Sequence, residues 1–218
     1  VTQRYALFAL ASKPGIGVFH KDEVGVGLYV AGVMDLLDAG VAALDDKGRL
    51  LLEKPLPSGL THLDPLYQTI VELRPQKPAK AAQKYVATFL NRHMDELAWA
   101  VADSLEQAGK LIPEERIGLF GETTRHRVPA EVLGAQVDEL RHAILAETPL
   151  DEGDVVLAVL LKHAKLLKQF FSKFEANQLK RRLKEIKNSD SSRLAKQIQS
   201  QVDAIYASAA VAGAVAAR

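Results

Sequence analysis

The sequence predicts a mostly α-helical single domain over residues 1–218, with a buried central helix, surrounding amphipathic helices and one or two short β-hairpins. Three observations predict it. Val155 to Leu161 is apolar at every position, and a helix apolar all round must be buried on all sides. Apolar residues elsewhere recur mostly at helical rather than alternating spacing. Two short segments with glycine-bearing turns each follow a helix and read as hairpins. A chain of 218 residues is long enough for one sizeable core.

Taken in order, Tyr5 to Ala11 reads as a short first helix stopped by Pro14 and Gly15. Gly15 to Gly27 is glycine-rich. Leu28 to Ala39 reads as a helix whose core face is Val30, Val33, Met34 and Leu37, ended by Gly40. Val41–Leu44 and Arg49–Glu53 flank Asp45-Asp46-Lys47-Gly48, a hairpin turn with glycine where positive φ is needed. After Pro55, Pro57 and Gly59, helices are expected over 64–73, 79–89 and 95–108, the last capped by Gly109. A second hairpin is expected over Leu111–Val128, with strands at Arg116–Phe120 and Arg125–Val128 and a turn through Gly121–Thr124. A helix over 130–146 follows. The central helix is expected to run unbroken from Asp151 to Phe174, with Leu166, Leu167, Phe170, Phe171 and Phe174 on one face and Lys162, Lys165 and Lys168 on the other. Ala176–Lys187 is basic and amphipathic, and the apolar IYASAAVAGAVAA closes the chain as a buried helix.

Composition removes several chemistries. There is no cysteine, so disulfides, thiol catalysis and cysteine-ligated metal are excluded. No apolar stretch reaches the roughly 18 residues of a membrane span. The N-terminal apolar run is too short for a secretory signal, and a cytoplasmic location is expected. Gly25-Val26-Gly27 opens like a dinucleotide fingerprint, but position 30 is valine where a third glycine would stand. The six histidines form no i, i+4 metal pair, and His163 reads as a satisfied polar group in the core helix. No catalytic residue, metal, cofactor or small-molecule substrate is indicated, and the chain is not expected to be an enzyme.

The basic features carry more. Net charge is only +1, but Lys162 to Lys187 holds nine bases against Glu175 and Glu185, a local excess of seven. With Phe170, Phe171 and Phe174 nearby, this stretch suits a membrane surface, the phosphates of nucleic acid, or simply a solvated face. The second hairpin is the other candidate. Ile117, Leu119 and Phe120 sit near its turn, with Arg116, Arg125, His126 and Arg127 beside them. That arrangement suits an anionic interface, a contact between copies of the chain, or core packing.

Several segments resemble, in order and spacing, the Golgi phosphoprotein 3 (GPP34) family and its bacterial relatives. They are AGVMDLLDAGVAALDDKGRLLLE, LDPLYQTIVELRPQKPAKAAQKYVATF, DSLEQAGKLIPEERIGLFGETTRHRVP, LAVLLKHAKLLKQFF and IYASAAVAGAVAA. The resemblance covers most of the chain. It implies a helical domain round a buried helix. Eukaryotic members are peripheral membrane proteins that read phosphatidylinositol 4-phosphate through an indole and several bases, with an apolar hairpin touching the bilayer or another subunit. The family's Phe-Trp-Asn-Asp stretch resembles Phe19-His20-Lys21-Asp22, with His20 in place of the indole. A family arginine falls at Tyr29, and a basic pair falls at Asp95 and Ala98, one turn from Arg92 and His93.

The resemblance therefore implies a peripheral protein for anionic phospholipid or phosphoinositide headgroups. His20, Lys21, Arg92, His93, Arg125 and Arg127 are the candidate headgroup ligands, and Ile117, Leu119 and Phe120 the membrane or subunit contact. An interaction module without a lipid ligand is the alternative, with self-association through residues 116–128. Nucleic-acid binding is the least favoured.

Overall fold

Helix α1 (Thr2–Ser12) lies at the middle of the molecule, touching most of the longer helices. Tyr5 to Leu10 is six consecutive apolar residues, each at most 2 % exposed. Its signal is the same unbroken apolarity that marks Val155–Leu161. The computed structural model describes residues 1–20, 22–44, 50–73, 93–118, 121–146, 150–188 and 206. In chain order α1 is followed by a 3-10 turn η1 (Ile16–His20), α2 (Asp22–Asp38), β1 (Ala42–Leu44), β2 (Leu50–Leu52), a second 3-10 segment η2 (Ser58–Leu63) and α3 (Asp64–Leu73). Then come α4 (Met94–Gln107), β3 (Ile112–Gly118), β4 (Gly121–Arg127), α5 (Ala130–Leu145), α6 (Glu152–His163), α7 (Leu167–Phe170) and α8 (Lys173–Asn188). The expected helix over 79–89 and nearly all of the closing helix lie outside the described residues.

The mostly helical class with two antiparallel hairpins is as expected, but the core is shared by α1, α2 and α6 rather than built round α6 alone. Val155 to Leu161 is buried throughout, as its composition requires. Helix α2 begins at Asp22, not Leu28, so Gly25 and Gly27 are helical and no phosphate-binding loop exists there. Val24, Val26, Leu28, Tyr29, Val30, Ala31, Val33 and Leu36 are all buried, whereas Met34 and Leu37, assigned above to its core face, are only partly so. Buried residues of all these helices form one contiguous apolar cluster.

The longest expected helix, 151–174, is broken twice. Asp151 caps α6 by accepting from the Asp154 N–H (2.7 Å). At the far end Lys165 adopts φ 61°. The Leu166 N–H donates to the Leu161 carbonyl (2.9 Å) and the Lys165 N–H to that of Lys162 (3.2 Å). That is the paired bonding of a Schellman stop. Gly40 and Gly109 end α2 and α4 in the same way, at φ 61° and 67°. Those two stops are legible as glycines, whereas a lysine at the third is not. The second break is a capping box. The Ser172 N–H donates to Glu175 Oε2 (2.7 Å) and the Glu175 N–H to Ser172 Oγ (3.2 Å). The serine therefore starts a new helix, and the residues beyond it do not inherit the preceding face. Phe170 and Phe171 pack on Phe8, with centroids 5.1 and 6.3 Å apart. Phe174 instead points outward, 62 % exposed.

The second hairpin spans 112–127, within the expected Leu111–Val128, but its strands are longer and its turn shorter than expected. Strand β4 starts at Gly121, paired with Gly118, and the ladder runs to Ile112↔Arg127, so residues 121–124 are strand rather than turn.

Candidate functional site

Gly15, at φ 107°, lets the chain turn after α1 into η1. That turn packs on α2 and α4 and delivers His20 to the first turn of α4. There His20 Nε2 lies 2.5 Å from Asp95 Oδ1, across 75 positions of sequence, with both side chains more than half exposed. His93, at the N-cap of α4, places Nδ1 2.9 Å from Glu96 Oε2. Nearby in sequence, at the start of α2, Glu23 pairs with Lys165. Nominated bases and local carboxylates thus occur together. An incoming anion would have to compete with Asp95 and Glu96 for the two imidazoles.

The hairpin bases are a separate group. Arg127 Nε donates to Glu114 Oε1 at 2.7 Å. Arg125 is exposed and stands opposite Glu114 in the ladder. Between them in sequence, His126 is completely buried against Trp99, with ring centroids 5.4 Å apart. Its Nε2 lies 3.1 Å from Glu106 Oε1, off the line that a hydrogen bond needs. Ile117 lies on β3 opposite Glu122. Lys21, Arg92, Leu119 and Phe120 lie outside the described residues.

The bases of the 162–187 stretch behave differently. Arg182 is committed to structure: its guanidinium donates to the carbonyls of Ala143, Ile144 (3.1 Å) and Ala146 (2.7 Å), closing the C-terminal end of α5. Lys162, Lys168, Lys173, Lys180 and Lys184 are exposed, and among the described residues no carboxylate pairs with them. Arg141 holds Glu175 at 2.5 Å. The Ser172 bonds first, and Arg141 after them, keep the Glu175 carboxyl below its usual range. His163 stacks on Tyr206, centroids 4.4 Å apart and 14° between planes.

Two internal polar groupings were not legible beforehand. Arg4 Nη1 binds Asp154 Oδ1 at 2.9 Å, and burial pushes the Asp154 carboxyl up against the pull of Arg4. A cleft of about 320 Å³ is lined by Arg4, Asp35, Asp38, Leu60 and His62 among others, none of them a nominated residue. Among the described residues, no three His, Asp or Glu side chains are grouped so as to hold a metal ion. No described helix is long and apolar enough to cross a membrane.

The model of the Golgi phosphoprotein 3 (GPP34) family matches residues 2–215, nearly the whole chain. The chain belongs to the GPP34 family. No curated protein matches it. Within that family frame, the positions aligned above with the lipid pocket divide in two. His20 and Asp95 meet at the surface, whereas Tyr29 and Ala98 are 5 % and 1 % exposed. The spot is recognisable as a meeting of η1 and α4, but it joins one imidazole to one carboxylate.

Proposed function

We propose that this GPP34-family chain is a peripheral membrane protein that holds anionic phospholipid surfaces mainly through distributed positive charge. The observation that carries the proposal is charge segregation. Residues 162–187 hold nine bases and two acids, so the rest of the chain holds 19 bases and 25 acids. A chain of net charge +1 thereby gains one strongly positive region, which is what long-range attraction to an anionic leaflet needs. The pairs His20–Asp95 and His93–Glu96 favour weak headgroup discrimination, because their carboxylates repel a phosphate.

Flotation on neutral, phosphatidylserine-containing and phosphatidylinositol 4-phosphate-containing vesicles, at matched surface charge, tests this. Binding to both anionic compositions at low salt, reduced at physiological salt, is expected. Binding that requires the phosphoinositide at physiological salt would refute the distributed mechanism in favour of a headgroup pocket. Absence of binding to every anionic vesicle would refute the membrane reading. The same two ion pairs would then favour an interaction module that keeps the family fold.

A further inference from the structure

Helix α8 is the element where positive charge, exposure and an outward aromatic coincide. Its inner stripe is Ala176, Leu179 and Leu183, all buried, and it packs on α5, α6 and α7. At about 100° per residue, Lys173, Lys180 and Lys184 fall within about 40° of one another on an exposed flank, about 90° round from the buried stripe, with Asn177 beside them. Arg181 and Phe174 border this lysine row, all six residues being exposed. The one carboxylate on this face, Glu185, is 3.5 Å from Arg181. The face therefore carries four bases against one acid.

Phe174 is the informative residue. Phe174 is 62 % exposed and, among the described residues, is not part of the apolar cluster. Its direction is set by the Ser172–Glu175 capping box, which restarts the helix two residues earlier and turns Phe174 away from Phe8. Arg141 holds Glu175 from the other side, so the start of α8 is anchored. An aromatic ring fixed beside a row of lysines fits the boundary between headgroups and acyl chains. There the ring enters the apolar layer while lysine stems extend their charges to lipid phosphates.

We propose that the outer face of α8, led by Phe174 and the Lys173–Lys180–Lys184 row, is the surface on which the chain docks to an anionic bilayer. The proposal rests on the membrane reading above and assigns it a place. The occupant is the bilayer rather than a polynucleotide, because Phe174 stands out from the surface beside the bases instead of lining a groove, so its natural partner is an apolar layer.

The test compares the full chain with three variants on vesicles of phosphatidylcholine containing phosphatidylserine, at low salt. Lys173→Glu/Lys180→Glu/Lys184→Glu reverses the row. Lys13→Glu/Lys54→Glu/Lys110→Glu imposes the same change in net charge through exposed bases outside α8. Phe174→Ser removes the ring without changing charge. The α8 triple variant is expected to lose about 100-fold or more in partitioning, and the control triple only a few-fold. Phe174→Ser is expected to lose about tenfold. Unchanged melting temperatures are expected for exposed positions, and if the triple variant does not fold, Phe174→Ser decides alone. Wild-type-like binding by the α8 triple or by Phe174→Ser overturns the face while leaving the membrane reading intact. Equal losses in the two triples overturn it in favour of net charge. Failure of the unmodified chain to bind overturns both proposals. Loss of duplex-DNA binding in the α8 triple, with vesicle binding unaffected, overturns the choice of partner.

Discussion

Gly27 lies inside α2, where alanine would ordinarily be the better residue by about 1 kcal/mol. Gly27→Ala is nevertheless expected to destabilise the chain. A Cβ at this position would lie 2.1 Å from Tyr5 Oη, 2.3 Å from Tyr5 Cζ and 2.8 Å from Tyr206 Oη. Ordinary contact begins at 3.4 Å, so the Tyr5 ring must withdraw by about 1.3 Å. Tyr5 is completely buried, and its hydroxyl donates to the Val24 carbonyl at 3.0 Å, a bond such a shift breaks. Overpacking costs about 1–3 kcal/mol, and a stranded buried hydroxyl about 1–3 kcal/mol more. Against the gain of about 1 kcal/mol in helix propensity, the net loss is about 3 kcal/mol.

For a chain of this size that corresponds to a fall in melting temperature of about 6–12 °C. Urea and thermal unfolding followed by circular dichroism measure it. Gly134→Ala is the control: Gly134 lies within α5 with open space where its Cβ would stand. That variant should gain up to about 1 kcal/mol. In a Tyr5→Leu background the cost of Gly27→Ala should shrink, because the two nearest atoms it strikes are gone and only Tyr206 Oη remains. Equal stability of the two alanine variants, or full additivity with Tyr5→Leu, would refute the close-approach account of Gly27.

Lys165→Gly should leave stability unchanged or raise it by about 1 kcal/mol, since it relieves a left-handed lysine at the α6 stop. A clear loss in a urea titration would show that the exposed Lys165–Glu23 pair outweighs backbone strain. Burial holds the His62 pKa below its ordinary value, against the opposing pull of Asp35. Neutral His62 therefore favours the fold above the unfolded pKa of about 6.5, and that contribution is lost as pH falls through this value toward the depressed one. The urea midpoint should drop between pH 7.5 and 5.5, and His62→Leu should flatten the drop. An equally steep drop in the variant would place the titration elsewhere.

Unbroken apolarity reads as burial at Val155–Leu161, whereas Tyr5–Leu10 reads only as part of a short first helix. Val155–Leu161 is buried as its composition demands, and Tyr5–Leu10 carries the same signal in a run too short to show a period. Stops at Gly40 and Gly109 were readable because glycine reaches positive φ without cost. The stop at Lys165 was not, because there tertiary bonding imposes the conformation on a residue that does not favour it. Ser172-x-x-Glu175 was readable in principle as a capping box, but it is embedded in a leucine, phenylalanine and lysine pattern that continues the helical period across it. Gly25 and Gly27 misled in the opposite direction. Of this pair, which suggests a loop, Gly27 marks the place where α2 must admit Tyr5 and Tyr206. At the candidate site, the meeting of His20 with Asp95 depends on how η1 packs against α4. No local pattern encodes a contact across 75 positions.

The site at η1 and the face of α8 are structurally separable, and this makes their contributions separable too. Turn η1 packs with α2 and α4, α8 packs with α5, α6 and α7, and α1 touches members of both groups. On the proposed membrane reading, a substitution at His20 should alter headgroup preference without reaching the lysine row. A substitution at Lys180 can alter affinity for charge without reaching the His20–Asp95 pair. Near a charged surface, attraction sums over all unpaired bases, whereas discrimination between headgroups needs converging donors with no competing acceptor. The described residues satisfy the first condition at α8 and fail the second at η1, where each imidazole already has a carboxylate. On the proposed membrane reading, Asp95 and Glu96 are the carboxylates that limit headgroup selectivity, Asp95 through His20. Asp95→Asn should then raise affinity for phosphoinositide vesicles over phosphatidylserine vesicles of equal charge, and the row at α8 should raise both alike.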